Sequence, residues 1–365
     1  MPPPDPVAAL VERATSALEQ HLDEGRPGWH EDDRLVRAAR ALSEGFTTAP
    51  DELTPLLDDD RAAAYLAYFA PRTVAAVAHV LAPFAEGGAP RAVLDVGAGT
   101  GAASLCALAA GAERVLVADR DPLALDEALL LLRRLAPRAS LARTSGDLFS
   151  QGVIDDRAEL LLSAFAVGEL LAAHPVEETL ERLLAAAPRA RALVLLDAGD
   201  RTRARGLQEL REAALARGLS VRAPCPHGDP CPALARRRDW CHTRVERHLT
   251  PRLAAFARAV GRDEEQMSLS YLVLERAPRA PERHVRVLGE PLVEKGRVRL
   301  PVCGPEGLRF VQSLKRHKEA RAALLSLERG ARLREVHAER RGDTAHVGEA
   351  NELTTAAEEG TLGFP

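Results

Sequence analysis

The amino-acid sequence predicts an α/β protein built around a doubly wound parallel sheet. Between residues 92 and 223, short apolar segments of strand length alternate with segments whose apolar residues recur at helical spacing. This alternation is typical of parallel strands joined by crossover helices. A loop with three glycines directly follows the first of these strands, where such folds bind their ligands.

The individual elements can be placed along the chain. The predicted strands are Ala92–Val96, Arg114–Ala118, Leu141–Thr144, Glu159–Ala164, Ala192–Leu196, Leu219–Ala223 and Ser268–Leu274. The predicted helices between them are Ala102–Ala110, Pro122–Leu135, Val176–Ala187 and Leu207–Arg217. Helical spacing from Val7 to Leu18 and from Ala62 to Phe84 indicates further helices before the sheet. After it, His284–Leu288, Val298–Val302 and Leu308–Val311 are predicted strands, followed by a helix through Leu324.

These elements suggest four units. They are a helical N-terminal subdomain (1–85), a sheet domain (86–280) with a cysteine-rich insertion (224–262), a basic β-rich appendix (281–330) and a tail (331–365). The tail is polar and weakly periodic, so we expect it to be loosely ordered.

Composition narrows the class of protein. The 365 residues are 46% apolar, which is enough for a sizeable core, and no apolar run is long enough to cross a bilayer. The N-terminus, Met1 to Asp5, lacks the basic start and apolar segment of a secretory signal, and it is too acidic and too poor in arginine for a mitochondrial transit peptide. We therefore expect a cytoplasmic protein without a membrane partner.

Charge is unevenly distributed. The chain has a net charge of −4, yet residues 221–330 contain 22 Lys and Arg against 13 Asp and Glu, a local charge of +9. Such asymmetry is typical of a polyanion-binding surface, although a solvated arginine-rich surface would look the same.

The glycine loop is Asp95-Val96-Gly97-Ala98-Gly99-Thr100-Gly101. A strand that turns tightly into a helix beside a bound ligand has no room for Cβ atoms, and Gly97, Gly99 and Gly101 remove them. The spacing is Gly-x-Gly-x-Gly, tighter than the Gly-x-Gly-x-x-Gly of dinucleotide sites. The pattern is typical of S-adenosylmethionine sites.

Three acidic residues are candidates for positioning that ligand. Asp95 precedes the loop, where an acid helps to place the methionine part. Asp119 ends the second strand and can accept both ribose hydroxyls, and Asp147 follows the third strand, where it can meet the adenine amino group. The alternative roles are structural: Asp119 as a helix cap near Pro122, and Asp147 as a turn residue.

Together these features predict a class I methyltransferase-type doubly wound sheet, in which the last two strands form an antiparallel pair. The predicted fold adds an N-terminal helical subdomain, a cysteine-rich metal insertion and a small C-terminal β-rich appendix. Methyl transfer itself is a separate question. Residues 163–170 (Ser-Ala-Phe-Ala-Val-Gly-Glu-Leu) contain neither the Asn/Asp-Pro-Pro-aromatic stretch of amino-group methylases nor a nucleophilic cysteine, so no catalytic residue is assigned.

Four of the five cysteines fall in the basic region: Cys225, Cys231, Cys241 and Cys303. In a reducing compartment, clustered cysteines indicate metal more than disulfides. Four thiolates suit tetrahedral zinc or a [4Fe–4S] cluster. Without Cys-x-x-Cys knuckles, the irregular spacings of 6, 10 and 62 residues favour the cluster, with zinc as the alternative. His227 and His242 are additional candidate ligands or supporting residues. Cysteines with a purely structural role are the remaining alternative.

The cysteine segment also carries a resemblance to a known family, which covers roughly Arg61 to Leu324. The chain resembles the mitochondrial small-ribosomal-subunit assembly family, which includes methyltransferase-like protein seventeen and bacterial homologues. The matching residues are Pro224-Cys225-Pro226-His227, Cys231-Pro232, Asp239-Trp240-Cys241-His242, Ser270 to Leu274 and Cys303. The resemblance implies a [4Fe–4S] cluster ligated by Cys225, Cys231, Cys241 and Cys303. It also implies association with small-subunit ribosomal RNA during assembly, and S-adenosylmethionine binding in at least some members.

Three functions follow as hypotheses. The first is a small-subunit assembly factor that binds S-adenosylmethionine and an iron–sulfur cluster and methylates ribosomal RNA. The second is a non-catalytic ribosomal-RNA-binding factor with a vestigial methyltransferase core. The third is a methyltransferase of another substrate with structural zinc. The expected RNA contacts are Arg236 to Arg238, Arg244, Arg247 and Lys315 to Lys318, and no DNA partner is expected.

Overall fold

The computed structural model describes residues 5–48, 58–85, 88–149, 152–261, 265–278, 284–305, 307–335 and 338–355. Two mixed sheets and the helices that pack on them make up this part of the chain.

The first sheet has eight strands among the described residues. They are β1 (Ala92–Val96), β2 (Arg114–Asp119), β3 (Ser140–Ser145), β4 (Leu160–Ala164), β5 (Ala192–Ala198), β6 (Ser220–Ala223), β7 (Thr243–Glu246) and β8 (Gln266–Glu275). Their order is β3-β2-β1-β4-β5-β8-β6, with β7 also paired to β8. Strands β1 to β5 are parallel, and β8 runs antiparallel to β5 and β6. The predicted α/β class and the antiparallel last pair are thus confirmed.

Helices cover both faces of this sheet. They are α1 (Pro6–Gly25), α2 (Asp33–Thr48), α3 (Asp59–Tyr68), α4 (Ala70–Ala85), α5 (Ala102–Ala110), α6 (Pro122–Leu135), α7 (Val167–Ala173), α8 (Val176–Ala186), α9 (Arg201–Ala216) and α10 (Pro251–Val260). Neighbouring residues of β1 belong to different cores. Val93 packs in the core that contains α1, α4, α5 and α6, and Leu94 in the core that contains α8 and α9. Strand alternation therefore produces the doubly wound arrangement.

Local sequence explains where the helices begin. Asp121 accepts hydrogen bonds from the amides of Leu123 (2.9 Å) and Ala124 (3.2 Å), and Pro122 follows it as the first residue of α6. Asp200 caps α9 in the same way. These caps fix the helix starts at the carboxyl edge of the sheet, the edge where the candidate ligand residues lie.

The N-terminal helices share their core with the sheet. Helix α4 packs against α5, and α1 packs against α4, α5 and α6. The cysteine-rich insertion contributes β7 and α10, neither of which the sequence indicated, and α10 packs against α2 and α3. No helix among the described residues combines the length and apolarity that a membrane span requires.

The second sheet also has eight strands in the described part of the chain, with order β14-β15-β12-β11-β9-β13-β16 and β10 paired to β11. They are β9 (Val285–Val287), β10 (Leu292–Glu294), β11 (Arg297–Gly304), β12 (Gly307–Leu314), β13 (Arg332–Glu335), β14 (Glu339–Arg341), β15 (Thr344–His346) and β16 (Leu353–Thr355). Helix α11 (Lys318–Leu325) packs on β11 and β12, where a helix was predicted.

The expectation of a loosely ordered tail after residue 330 was wrong for residues 332–355. Strands β13 to β16 lie in this segment, and Leu333, Ala345 and Val347 are buried. Each of these strands is only three or four residues long, and β13 and β15 pair with the distant strands β9 and β12, so their periodicity is too weak to detect. Residues 356–365, also part of the predicted tail, lie outside the described residues.

Candidate functional site

The glycine loop turns from β1 into α5 with left-handed backbone at all three glycines, φ +71° at Gly97, +50° at Gly99 and +80° at Gly101. A Cβ on Gly97 would lie 2.2 Å from Ala166 Cβ, and one on Gly101 would lie 2.9 Å from Ala128 Cβ. A Cβ on Gly99 would meet no atom within 4 Å. Gly97 and Gly101 therefore permit close packing, whereas Gly99 faces open space.

Carboxylates hold the loop in place. Asp119 Oδ2 accepts a hydrogen bond from the amide of Gly99 (2.8 Å), and its Oδ1 accepts one from the amide of Asp121 (2.9 Å). Asp95 is fully buried, and its Oδ2 accepts hydrogen bonds from the amide (3.1 Å) and hydroxyl (2.7 Å) of Ser104. Burial raises the pKa of Asp95 to about 7. Its Oδ1 is buried without a hydrogen-bond partner among the described residues.

Asp147 lies on the same edge of the sheet but is exposed. Its Oδ1 accepts a hydrogen bond from the amide of Phe149 (2.6 Å), so the turn role considered for it is present.

Two aromatic residues near the loop were not assigned from the sequence. Burial, assisted by the negative charges of Asp119, Glu169 and Asp95, raises the pKa of Tyr65 in α3 to about 12. Phe165, directly after β4, has a left-handed φ of +61°. Non-glycine residues in this conformation are uncommon and cluster at functional sites. Neither feature has a local sequence signal.

The four clustered cysteines border one cavity of about 460 Å³. Cys225 and Cys231 follow β6, Cys241 precedes β7, and Cys303 lies in β11 of the second sheet. The cavity therefore lies between the two sheets, and residues 78 positions apart in sequence meet there. Cys106, by contrast, is fully buried in α5 and takes no part in the cavity.

Arginine side chains surround these thiols. Arg286 Nη1 donates to Cys241 Sγ (2.6 Å). Although burial opposes its charge, the neighbouring Cys241, Tyr271, Cys225 and Cys303 raise the pKa of Arg286. Arg211, also buried, donates to the carbonyls of His227 (2.7 Å) and Asp229 (2.9 Å). No sequence motif indicates these cations, because they come from α9 and β9, outside the cysteine segment.

Burial shifts the pKa values of the thiols and of the histidines in opposite directions, because it disfavours the charged form of each. It raises the pKa of the Cys225, Cys231 and Cys303 thiols. It lowers the pKa of His242 to about 4, assisted by Arg329, Arg286 and Arg244. His227 Nε2 lies 3.4 Å from Cys303 Sγ. In the described part of the chain, no three His, Cys, Asp or Glu side chains are arranged as ligands of one metal ion.

The predicted RNA-contacting residues differ in exposure. Arg236, Arg237 and Arg238 are exposed, as are Lys315, Arg316 and Lys318. Arg244 is also exposed and pairs with Glu290 at 3.1 Å. Arg247 was wrongly included, because it is 2% exposed. Arg247 directly follows β7, and its amide donates a hydrogen bond to the carbonyl of Glu265. The alternation of buried and exposed residues along β7 continues to Arg247, and the sequence did not indicate a strand at this position.

The chain belongs to the mitochondrial small ribosomal subunit Rsm22 family, whose model matches residues 59–333. The predicted family resemblance is thereby confirmed. None of the curated proteins matches the chain in sequence.

Several solved methyltransferase structures are distantly similar. The magnesium protoporphyrin IX methyltransferase of Synechocystis PCC 6803 with bound S-adenosylmethionine is 17% identical with a TM-score of 0.36, covering 66% of this chain and 97% of that chain. The ribosomal protein L11 methylase of Lactobacillus delbrueckii subsp. bulgaricus is 14% identical with a TM-score of 0.35, covering 56% and 79%. A methyltransferase of Aquifex aeolicus is 19% identical with a TM-score of 0.32, covering 43% and 83%.

Proposed function

We propose that this chain binds S-adenosylmethionine at the Gly97–Gly101 loop and acts on the small ribosomal subunit during its assembly. The observation that carries the first part is the Gly99 amide held by the Asp119 carboxylate beside open space. Backbone that is already fixed, with no Cβ in the way, is what a nucleoside ligand approaching a loop requires.

The residues present fit this ligand. Asp119 would accept the ribose hydroxyls, Asp147 the adenine amino group, and Asp95 would place the methionine part, since its buried Oδ1 lacks a hydrogen-bond partner in the described chain. Bound S-adenosylmethionine supplies an electrophilic methyl group. Transfer of that group depends on alignment of the acceptor more than on acid–base chemistry, so the contribution of this chain is positioning.

We further propose that Cys225, Cys231, Cys241 and Cys303 hold a [4Fe–4S] cluster. Four thiols border one cavity, and Arg286 and Arg211 supply positive charge beside them, which offsets the negative charge of a thiolate-ligated cluster. A cluster binds each thiolate at a different iron, so its ligands are spread more widely than those of one ion. That is compatible with four thiols around a cavity that do not converge on a single point.

The ribosomal part of the proposal rests on family membership over residues 59–333 and on the exposed arginines and lysines of the basic region. Exposed cations that follow one another along a loop can contact successive phosphates of RNA.

The test of the ligand site is calorimetric titration with S-adenosylmethionine. Asp119→Ala should weaken binding at least tenfold, because it removes both the ribose contact and the support of Gly99. Asp126→Ala is the matched control, because Asp126 is an exposed α6 carboxylate paired with Arg143 at 2.8 Å. Equal affinity in the two variants would overturn the assignment.

A second function is favoured by the segment after β4. Residues 163–170 place no cysteine or Asn/Asp-Pro-Pro stretch beside the loop, which fits a non-catalytic assembly factor. Incubation of small subunits from a deletion strain with radiolabelled S-adenosylmethionine distinguishes a methyltransferase from a non-catalytic assembly factor. Labelled ribosomal RNA supports methyl transfer, and unlabelled RNA with intact cofactor binding supports the non-catalytic factor.

A further inference from the structure

Trp240 is one of two tryptophans in the chain and differs from the other in exposure. Trp29 is fully buried, whereas Trp240 is 39% exposed at the surface of the cysteine-rich insertion. The ring of Trp240 is nevertheless held in place. Its Nε1 donates to the carbonyl of Gly199 (3.0 Å), and it stacks on His242 with centroids 5.9 Å apart and an interplanar angle of 21°. An exposed ring in a fixed orientation offers a flat apolar face to a partner.

Three arginines directly precede this tryptophan. Arg236, Arg237 and Arg238 are exposed, and their guanidinium groups make no ion pair or hydrogen bond with any residue that the structure describes. The loop beneath them is held by Arg205, whose Nη1 donates to the carbonyls of Ala233 (3.2 Å), Arg236 (3.1 Å) and Asp239 (3.0 Å). The backbone is therefore fixed, while three positive charges remain available to an external anion.

The position of the ring links it to the glycine loop. Gly199 follows β5 at the carboxyl edge of the sheet, and two residues earlier Asp197 accepts a hydrogen bond from the amide of Gly168 (2.8 Å). Ala166, in the same segment after β4, lies against Gly97. A continuous row of contacts thus runs along this edge from the glycine loop to Trp240.

We propose that Trp240 and Arg236–Arg238 form a platform for single-stranded RNA, with a base stacked on the indole and the adjoining phosphates held by the guanidinium groups. This inference rests on the proposed function, and it adds the form of RNA and the residues that bind it. Aromatic faces combined with a cationic track are the usual means of holding unpaired nucleotides. An A-form duplex hides its base faces, so it cannot use the indole.

The platform can be tested in the full-length protein with short oligonucleotides. Trp240→Ala should weaken binding of a single-stranded RNA about tenfold, whereas Trp240→Phe should retain most of the affinity because it preserves a stacking face. The emission of Trp240 should be quenched on binding, a signal that a purely structural role would not produce. Titration with S-adenosylmethionine shows that each variant is folded.

The contribution of Arg236, Arg237 and Arg238 is tested by the salt dependence of RNA affinity. Replacing Arg236, Arg237 and Arg238 by Ser should lower the slope of log affinity against log salt by about 2, at about 0.7 per phosphate contact on a single strand. Replacing Arg13, Arg37 and Arg133, three exposed arginines on α1, α2 and α6, removes the same charge and should leave that slope unchanged.

Failure of the RNA platform and failure of the proposed ribosomal function give different results in these experiments. RNA binding that is unchanged in Trp240→Ala, or equally tight for duplex and single strand, would overturn the platform alone. Competition by polyglutamate as strong as that by RNA would assign the surface to an acidic protein and also overturn it. Failure of the unaltered protein to bind any RNA at low salt would contradict both proposals.

Discussion

The glycine loop and the cysteine cavity are built in different ways. The loop consists of seven consecutive residues whose shape is fixed by positive φ angles and by the hydrogen bonds of Asp95 and Asp119. The cavity takes its thiols from residues 225 to 303 and from both sheets. At the cavity, two buried ring nitrogens, His227 Nδ1 and His242 Nδ1, have no hydrogen-bond partner among the described residues. The loop is therefore largely preorganised by the chain itself, whereas the cavity has the character of a site that a ligand completes.

The substitution with the largest expected effect on stability and metal content is at the cavity. Cys303→Ser replaces the one thiol contributed by the second sheet, so it should abolish most iron binding and separate the two sheets more easily. We expect the free energy of unfolding to fall by about 3 kcal/mol or more, since metal binding is coupled to folding. Iron analysis measures the loss of metal, and thermal unfolding measures the loss of stability. Cys106→Ala is the control, because Cys106 lies in α5 away from the cavity, and it should keep its iron. Full iron content in Cys303→Ser would refute the ligand assignment.

A smaller effect is expected where the loop packs. Gly97→Ala should destabilise the fold by at least about 2 kcal/mol, because its Cβ would lie 2.2 Å from Ala166 Cβ in addition to the cost of positive φ. Gly218→Ala is the matched control, with φ +81° and no atom within 4 Å of the new Cβ. Urea denaturation should show a clearly smaller loss for Gly218→Ala. Equal losses would mean that close packing at Gly97 is unimportant.

Gly99→Ala should separate folding from binding. Its Cβ would meet no atom within 4 Å, so stability should fall only by about 1 kcal/mol from the positive φ. The same Cβ would point into the space assigned to S-adenosylmethionine, and calorimetry should show at least a tenfold loss of affinity. Unchanged affinity would place the ligand elsewhere.

The smallest expected effect is the pH dependence of stability and of ligand affinity that Asp95 produces. The pKa of Asp95 is raised to about 7, so the folded protein keeps this proton while the unfolded chain releases it near pH 4. The Asp95 contribution to stability therefore falls as pH rises from about 4 to about 7. A cationic ligand favours the carboxylate, so affinity for S-adenosylmethionine should rise severalfold between about pH 6 and about pH 7.5. Asp95→Asn should remove this dependence, and an equally steep profile in that variant would exclude Asp95 as its origin.

The same contrast explains what could be predicted from sequence. The parallel strands, the glycine loop and its acids were predictable because each depends on a short pattern, such as Gly97-x-Gly99-x-Gly101 after a buried strand. The cysteines were recognisable by residue type and by family resemblance. The buried Arg286 and Arg211 beside them were not, because their positions depend on how β9 and α9 pack. Strands β13 and β15 were missed for the same reason, since they pair with β9 and β12, which are distant in sequence.

The metal content of the protein purified without oxygen tests the cavity assignment most directly. The proposal predicts a brown protein with about four iron atoms and a matching amount of acid-labile sulfide per chain, ligated by Cys225, Cys231, Cys241 and Cys303. One zinc per chain, or a protein without metal that keeps its full stability, would contradict it.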